Sequence, residues 1–331
     1  MVDKIPDLQF PYETSIEGLL NAIIIQKAPN KFDIVFPELR TNGSIYNIVR
    51  AVRVIEFDWQ QGTFSEVGSY PIPSELGFNV PQLFRYGIGY DLDNDRILLL
   101  LGEWDGTHMW PSTTKAKVIA INRSLDSHEV IIDDVFALLQ QVVSEAHHVG
   151  YCGNCYIING LGALVCTGYT APGVECAFHA VSTDGGVTWE PRHSNDRYDY
   201  GHQKLEPFWD GDTFMGYLVE GHGTNCLWIK TDGSYEANTP GGAYTIEPVY
   251  DMLNNEVIWL EWGSGTGAVQ HIWYASPSSP FSANDVTPSG TITDAEGNTI
   301  DLATICKLEA NIITLNAVGY LLFVAERGGI P

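Results

Sequence analysis

Four glutamates are the residues of this chain whose type and spacing best suit chemistry. Glu206 and Glu247 each precede a proline at the start of an apolar stretch, and Glu220 and Glu261 each end the next apolar stretch 14 residues later. Two carboxyl groups roughly 5 to 9 Å apart, one with a raised pKa, hydrolyse glycosidic bonds. A glutamate repeated at a repeated position is equally expected to bind backbone amides of a neighbouring sheet. Both interpretations stay open from the sequence, and these four are the catalytic candidates if the protein is an enzyme.

A second group of polar and aromatic residues lies where other apolar stretches begin or end. Aromatic rings supply contact area to a sugar or a protein, and charged or imidazole groups fix its orientation. The predicted ligand-binding residues are Glu103, Trp104, His148, Tyr169, His202, His222, Trp262, Glu326 and Arg327. The same ends also hold Glu38, Arg40, Arg85, Asp105, His147 and Glu309.

Two patterns are considered as metal sites. The run Asp91-Leu92-Asp93-Asn94-Asp95 resembles the start of a calcium loop, but it lacks the glycine and the closing glutamate, and a hairpin turn explains it as well. Cys152-x-x-Cys155 lies near two histidines, but a second Cys-x-x-Cys pair is missing. We predict no metal and no other cofactor, with calcium as the alternative.

The six cysteines do not form a disulfide framework in a chain of 331 residues. If Gly160-Leu161 is a two-residue hairpin turn, Cys155 lies opposite Cys166 as an ordinary cross-strand pair. Buried thiols are the prediction, and a metal site or a disulfide is the alternative.

A pattern that recurs six times must position these side chains. It is an apolar stretch that ends in a short polar, aromatic or glycine cluster, at 32–36, 97–101, 163–166, 214–219, 257–260 and 320–325. Each is interpreted as the second strand of a repeated unit. Third strands follow at 48–57, 115–121, 176–181, 226–230 and 271–275. Six units of about 40 to 65 residues predict a six-bladed β-propeller, with five or seven blades or a β-sandwich as alternatives.

Two segments have helical spacing. Residues 134–146 carry apolar residues at helical intervals behind Asp134, and 14–23 begin with the possible capping box Thr14-x-x-Glu17. We expect a short inter-blade helix near 134–146. The last blade ends soon after its second strand, so the segment 1–12 is predicted to close it, which gives a single propeller domain over 1–331.

The run from Ser182 to Trp189 reads as a strand end, a tight turn and a new strand. Asp184 can bond to the backbone across the turn, and Gly185 and Gly186 permit positive φ. The run resembles the Asp-box of sialidases and other bacterial-neuraminidase-repeat proteins, matching at Ser182, Asp184, Gly186 and Trp189. The resemblance implies β-propeller blades and places the box on an outer hairpin. Asp184 is therefore expected to be structural.

Sialidase activity itself is not expected. Sialidases need an arginine triad that clamps the carboxylate of the substrate, and only Arg40, Arg85 and Arg327 fall on the expected ligand face. Phe84-Arg85-Tyr86-Gly87 is similar to the family's Phe-Arg-Ile-Pro opening, but the Ile-Pro is missing. An acidic rim would repel an anionic sugar, so a glycosidase on this scaffold would act on a neutral or basic glycan.

The charge balance excludes several partners. Seventeen Lys and Arg residues against 41 Asp and Glu give a formal net charge of −24, which repels nucleic-acid phosphate and anionic membranes. No apolar run approaches the roughly 18 residues of a membrane span, and the first 20 residues lack the layout of a signal peptide. We expect cytoplasmic synthesis and no membrane insertion.

The sequence favours a non-enzymatic β-propeller that serves as a structural or receptor-recognition component of an assembly, most concretely a phage tail or virion protein. Its partners would be other subunits or a cell-surface glycan, and its location the virion or the extracellular space, with the cytoplasm as the alternative. The competing prediction is a glycoside hydrolase of the sialidase-like superfamily that uses paired carboxylates.

Overall fold

Over the residues that it describes, the computed structural model is all-β with one α-helix, as the sequence predicts. It describes residues 22–28, 31–42, 45–58, 60–104, 112–171, 174–193, 204–221, 225–240, 245–251, 254–262, 269–285, 291–293, 299–301, 308–315 and 318–325. The segment predicted to close the last blade, and all but the end of the predicted helix at 14–23, lie outside these ranges.

The first three sheets are antiparallel and have four strands each. Sheet 1 contains β1 to β4, at Ile23–Ala28, Lys31–Asn42, Ile45–Asp58 and Thr63–Pro71. Sheet 2 contains β5, β6, β8 and β9, at Pro81–Asp91, Arg96–Glu103, Ala116–Asn122 and His128–Ile132. Sheet 3 contains β10 to β13, at His148–Ile158, Leu161–Ala171, Val174–Ser182 and Glu190–His193. The short strand β7, Ser112–Thr113, pairs with β10.

The next two sheets repeat the same antiparallel order. Sheet 4 contains β14 to β17, at Leu205–Asp210, Thr213–Val219, Cys226–Lys230 and Tyr235–Asn238. Sheet 5 contains β18 to β21, at Thr245–Asp251, Glu256–Trp262, Val269–Ala275 and Asn284–Asp285. Two hairpins follow, β22–β23 at Thr291–Thr293 and Thr299–Asp301, and β24–β25 at Leu308–Leu315 and Val318–Ala325. The prediction of repeating sheets is confirmed at this level, whereas six closed blades stay a prediction.

From sheet 2 onward the first strands of successive sheets lie side by side, whereas in sheet 1 the third strand, β3, pairs with β5 at Ile48 and Gln82. β5 pairs in parallel with β10, β14 contacts both β10 and β18, and β18 contacts β24. The approach of β5 to β10 requires glycine, because a Cβ added at Gly89 would lie 1.8 Å from the carbonyl oxygen of Cys155. Side chains on the first strands of neighbouring sheets can therefore meet.

The core lies between the stacked sheets. In β6, Leu98 and Leu100 belong to one buried cluster and Ile97, Leu99 and Leu101 to another. Successive side chains of a strand point to opposite faces, so this uninterrupted apolar run is covered on both sides. The same division in sheet 4 sends one face to sheet 3 and the other face to sheet 5.

The predicted inter-blade helix is confirmed as helix α1, Val135–Val142. The Asp134 side chain caps it by accepting a hydrogen bond from the Ala137 backbone N–H at 2.8 Å. Val135 and Leu139 are buried against the cluster between sheets 2 and 3. One turn of the 3₁₀ helix Ser74–Leu76 precedes sheet 2.

The turn at Asp184 lies between β12 and β13, where the sequence places it. The Asp184 carboxylate accepts hydrogen bonds from the Thr188 hydroxyl at 2.6 Å and the Thr188 backbone N–H at 2.9 Å. These bonds, with one from Ser182, lower the pKa of Asp184 to about 2. Trp189 donates its indole N–H to the Gly186 carbonyl oxygen at 3.0 Å and packs on the core. Asp184 is thus engaged within its own turn.

The predicted pairing of Cys155 with Cys166 is wrong. The hairpin turn is Asn159-Gly160, with φ of 51° and 77°, so Ile158 pairs with Leu161 and Cys155 pairs with Leu164. The turn begins one residue earlier than predicted, which shifts every pair. Cys152, Cys155, Cys166, Cys176 and Cys226 are buried free thiols, and Cys306 lies outside the described residues.

Candidate active site

Sheets 4 and 5 are joined at one end by an isolated antiparallel bridge between Gly221 and Ile246. Each residue donates its backbone N–H to the other, at 3.2 and 2.7 Å. Residues that flank an antiparallel bridge lie opposite each other, so Glu220 lies opposite Glu247. Because the Glu220 N–H also bonds to the Lys204 carbonyl oxygen at 3.1 Å, a row of Lys204, Glu220 and Glu247 crosses the junction. We call Glu206, Glu220, Glu247, Glu261 and Lys204 the glutamate cluster.

Lys204 forms an ion pair with Glu247. Its Nζ lies 2.6 Å from Glu247 Oε1, and the two side chains are 17% and 7% exposed. Two partly desolvated opposite charges at this distance attract each other strongly.

Glu206 is in a different environment from Glu247. It lies on β14, partly exposed, and its Oε1 accepts a hydrogen bond from the Tyr250 backbone N–H at 3.1 Å. Burial raises the pKa of Glu206, and the charge of Glu247 raises it further, while Lys204 and the Tyr250 N–H act in the opposite direction. The two carboxyl groups are close enough to interact, and their surroundings differ, since Glu247 has an ammonium partner and Glu206 a backbone N–H partner.

Glu220 and Glu261 are both buried, at 4% and 3% exposure. Glu261 accepts a hydrogen bond from the Trp273 indole N–H at 3.3 Å. Glu220 lies near Cys226, because its charge, after the larger effect of burial, raises the pKa of that thiol. The four glutamates selected from the sequence therefore lie at one junction of two sheets.

Two residues of this region were missed by sequence reasoning, Lys204 and Tyr156. Burial raises the pKa of Tyr156 on β10, and the charges of Glu206 and Lys204 affect it as well. Tyr156 thus lies within electrostatic reach of the glutamate cluster from the neighbouring first strand. The Lys-x-Glu-Pro spacing at 204–207 carried a signal for the lysine. Nothing local marked the tyrosine, because its neighbours come from another sheet.

Arg85 lies in a bulge of β5. The register against β6 shifts between Leu83 and Ile88, and Tyr86 within the bulge has a φ of 64°. Asn154 holds this conformation by donating its amide hydrogens to the carbonyl oxygens of Tyr86, at 2.7 Å, and Ile88, at 3.2 Å. The Arg85 guanidinium lies 5.0 Å from the centre of the Tyr86 ring.

Glu103 acts as a backbone ligand, which is the alternative that the sequence left open. Its two oxygens accept hydrogen bonds from the backbone N–H groups of Asn79, at 2.9 and 3.1 Å, and Val80, at 3.0 Å. Trp104 follows it, and its backbone N–H bonds to the Val80 carbonyl oxygen at 3.0 Å. This glutamate closes the loop before β5.

His148 and Tyr169 form a cross-strand pair at one end of sheet 3. Their rings stack with centroids 4.6 Å apart, and both side chains are partly exposed. For Trp262 the structure describes the backbone, which pairs with Thr245 and Val269. His202, His222, Glu326 and Arg327 lie outside the described residues.

The aspartates of the loop that resembles a calcium site have separate protein partners. Asp91 binds Arg96 at 2.6 Å, Asp93 accepts the backbone N–H groups of Asn159 and Gly160 at 2.7 Å, and Asp95 accepts the Tyr90 hydroxyl. Across the described ranges, no group of three or more His, Cys, Asp or Glu side chains is arranged to hold a metal ion. Within the same ranges, no helix has the length and apolar character that crossing a membrane requires.

No protein-family model and no curated protein sequence matches the chain. Among solved structures, a GH43 β-1,3-galactosidase bound to galactodeoxynojirimycin is similar with a TM-score of 0.45 and 9% identity, over 86% of this chain and 94% of that chain. The α-L-arabinofuranosidase Arb93A from Fusarium graminearum has a TM-score of 0.42 and 10% identity, over 80% and 79%. A variant of the apocarotenoid oxygenase from Synechocystis has a TM-score of 0.43 and 10% identity, over 77% and 57%.

The similarity to glycoside hydrolases contradicts the prediction of a non-enzymatic component of an assembly and favours its alternative. None of the three structures is a sialidase, and the resemblance of 182–189 to the Asp-box stays a sequence prediction. Identities of 9 to 10% concern the fold alone, so an activity of this chain must be argued from its own residues.

Proposed function

We propose that the protein is a glycoside hydrolase that cleaves a neutral glycan, with Glu206 as the general acid and Glu247 as the nucleophile or general base. The observation that carries this proposal is the pair itself. Burial and the Glu247 charge raise the pKa of Glu206, while Lys204 binds Glu247 at 2.6 Å. Two carboxyl groups in such unlike surroundings are what glycoside hydrolysis uses.

In the proposed reaction Glu206 donates its proton to the glycosidic oxygen as the bond to the anomeric carbon breaks. Glu247 either attacks that carbon or removes a proton from the attacking water. Lys204 orients Glu247 through their contact at 2.6 Å. The Tyr250 N–H orients the Glu206 carboxyl group by binding its Oε1 at 3.1 Å. The anomeric form of the first product, read by NMR, distinguishes the two roles of Glu247.

The charge of the site supports a neutral substrate. The glutamate cluster contains four glutamates and one lysine, and that lysine is paired with Glu247, so a carboxylate or sulfate on the sugar would be repelled. The partly exposed Tyr156, near Glu206, supplies a hydroxyl group for a sugar hydroxyl. We further infer that the sheets are blades of a single propeller domain over 1–331, with six blades if β24–β25 begins the last one. Both chemical roles are assigned to carboxyl groups, so the proposal requires no cofactor.

The test measures hydrolysis of aryl and oligomeric galactosides, arabinofuranosides and xylosides by the wild type and by Glu206→Gln and Glu247→Gln. Each change should lower kcat/KM by about 10²- to 10⁴-fold on a substrate with a poor leaving group. Glu103→Gln is the matched control, because it removes a charge from a glutamate that binds backbone amides, and it should leave kcat/KM unchanged. Full activity of both site variants, or no hydrolysis of any glycoside by the wild type, would contradict the proposal.

The pH dependence gives a second check. A general acid must be protonated, so kcat/KM should fall as the pH rises through the pKa of Glu206, above the ordinary glutamate value of 4.5. An activity limit that falls at or below that ordinary value would assign the acid to another group.

A further inference from the structure

We propose that His271 and Trp273 form an aromatic platform that binds a sugar residue of the substrate away from the bond being cleaved. This inference rests on the proposed function and extends it to a substrate class, neutral oligosaccharides longer than a disaccharide. We call these two side chains the β20 platform.

The two rings lie on the same face of one strand. They are two residues apart on β20, so both side chains point to the same side. Their centroids lie 5.7 Å apart with an angle of 35° between the rings. The His271 side chain is 44% exposed, and Trp273 is partly exposed while it packs against the core between sheets 4 and 5.

Each ring is oriented by a carboxylate. His271 Nδ1 lies 3.0 Å from Asp285 Oδ2, and Trp273 donates its indole N–H to Glu261 Oε2 at 3.3 Å. Exposed aromatic side chains that are fixed before a ligand arrives lose little conformational entropy on binding. A tryptophan that packs on the core and remains partly exposed can offer its ring to the apolar C–H face of a neutral sugar.

The strand register places the platform on the face of sheet 5 that packs against sheet 4. Glu261 pairs with Ile246 on β18 and with His271 on β20, so these three side chains share one face, whereas Glu247 follows Ile246 and starts from the other face. Trp273 packs in the same cluster as Phe208 and Tyr250, and the Tyr250 backbone N–H binds Glu206. The platform therefore lies on the side of sheet 5 that the proposed acid, Glu206, approaches.

The same carboxylate connects the two sites. Glu261 is 3% exposed and belongs to the glutamate cluster, yet the hydrogen bond that it accepts comes from Trp273. We therefore assign Glu261 a positioning role for the platform, separate from the chemical roles of Glu206 and Glu247.

The test compares short and long substrates with the variants His271→Ala and Trp273→Ala. The matched control is Tyr274→Ala, because Tyr274 is an aromatic residue on the same strand, 36% exposed, with its side chain on the opposite face. On tri- and tetrasaccharides the platform variants should raise KM about fivefold or more, with kcat and the activity on aryl monoglycosides unchanged. Equal losses on long and short substrates, or no loss on long ones, would overturn the platform.

A binding measurement separates this inference from the proposed function. Calorimetric titration of unmodified galacto-, arabino- and xylo-oligosaccharides into the Glu206→Gln protein measures binding without turnover. Loss of oligosaccharide binding when His271→Ala is added, but not when Tyr274→Ala is added, supports the platform. This holds even if the wild-type protein hydrolyses no glycoside, a result that would refute only the proposed function. The platform is refuted if neither the wild-type protein nor Glu206→Gln binds any oligosaccharide, or if His271→Ala and Tyr274→Ala bind oligosaccharides equally well. If Trp273→Ala lowers the melting temperature, His271→Ala alone carries the test, because its side chain is 44% exposed and its removal disturbs the core less.

Discussion

Glutamates at matching places in the repeat do different work in sheet 2 and in sheets 4 and 5. Glu103 ends the second strand of sheet 2 and gives both oxygens to backbone N–H groups of the loop before β5. Glu220 and Glu261 stand at the end of the second strands of sheets 4 and 5, but they are buried beside other glutamates and Lys204. A repeated residue type therefore binds backbone amides in one sheet and is gathered with other carboxyl groups in another.

The cations that accompany the acidic residues also differ between these regions. In sheets 1 and 2 the fully buried Asp91 and Asp33 are bound by Arg96, at 2.6 Å, and by Arg123. The glutamate cluster has four carboxyl groups and one lysine, which pairs with Glu247. A carboxylate neutralised by a guanidinium stabilises the fold, whereas an excess of carboxyl groups forces one of them toward its protonated form.

The largest expected effect on stability is that of Arg123→Met. Asp33 is fully buried, and removing the guanidinium leaves its charge poorly compensated, so the free energy of unfolding should fall by about 3 kcal/mol. Urea denaturation measures this loss. The double variant Asp33→Asn with Arg123→Met should recover part of it, and an equal loss in both would show that the ion pair is not the cause.

Lys204→Met should act on catalysis more than on folding. Without the ammonium, the pKa of Glu206 rises further, because Lys204 lowers it in the wild type, and Glu247 loses its orienting partner. We expect kcat/KM to fall by about tenfold or more and its alkaline limit to move to higher pH. Lys230→Met is the control, since Lys230 pairs with Glu236 on the outer strand of sheet 4. An unchanged pH profile would separate Lys204 from the acid.

Glu103→Gln should act on folding more than on catalysis, the opposite of Lys204→Met. The amide retains an acceptor for the loop but loses the charge, so unfolding should become easier by about 1 kcal/mol, with no change in kcat/KM. Thermal denaturation and the glycoside assay measure the two quantities. A loss of activity without a loss of stability would place Glu103 with the glutamate cluster.

The smallest effect is expected at Asp184. Its folded-state pKa of about 2 lies below the ordinary value of 3.8, so its stabilising contribution is present above 3.8 and is lost as the pH falls through 2. Asp184→Asn should therefore flatten the acid end of the stability curve. Activity at neutral pH should be unaffected, because the residue lies on the turn between β12 and β13. If the difference in stability between the wild type and Asp184→Asn did not change with pH, the titration of Asp184 would not be its cause.

The sequence was sufficient to predict the strands and to predict that the four glutamates lie at the same end of their hairpins. Apolar runs ending in polar clusters mark strands that are buried on both faces, and a spacing of 14 residues returns the chain to the same end of a hairpin. It was not sufficient for contacts between sheets. Lys204, Tyr156 and the β20 platform depend on the bridge between Gly221 and Ile246 and on packing between first strands, which no local pattern encodes.

The cysteine pairing shows how small the missing information can be. Asn159 and Gly160 both adopt positive φ, so the turn begins one residue before the predicted position, and Cys155 faces Leu164 in place of Cys166. A hairpin turn sets the register of both strands, so an error of one residue changes every cross-strand neighbour.

The central claim is that the surroundings of Glu206 shift its protonation, and a titration of that carboxyl group tests it without any substrate. NMR of protein with ¹³C-labelled glutamate side chains, assigned by the signal that Glu206→Gln removes, follows the group directly. We predict a midpoint above the ordinary glutamate value of 4.5 and a downward shift of that midpoint in Glu247→Gln. A midpoint at or below 4.5, unchanged by Glu247→Gln, would contradict the assignment of Glu206 as the acid of a coupled pair.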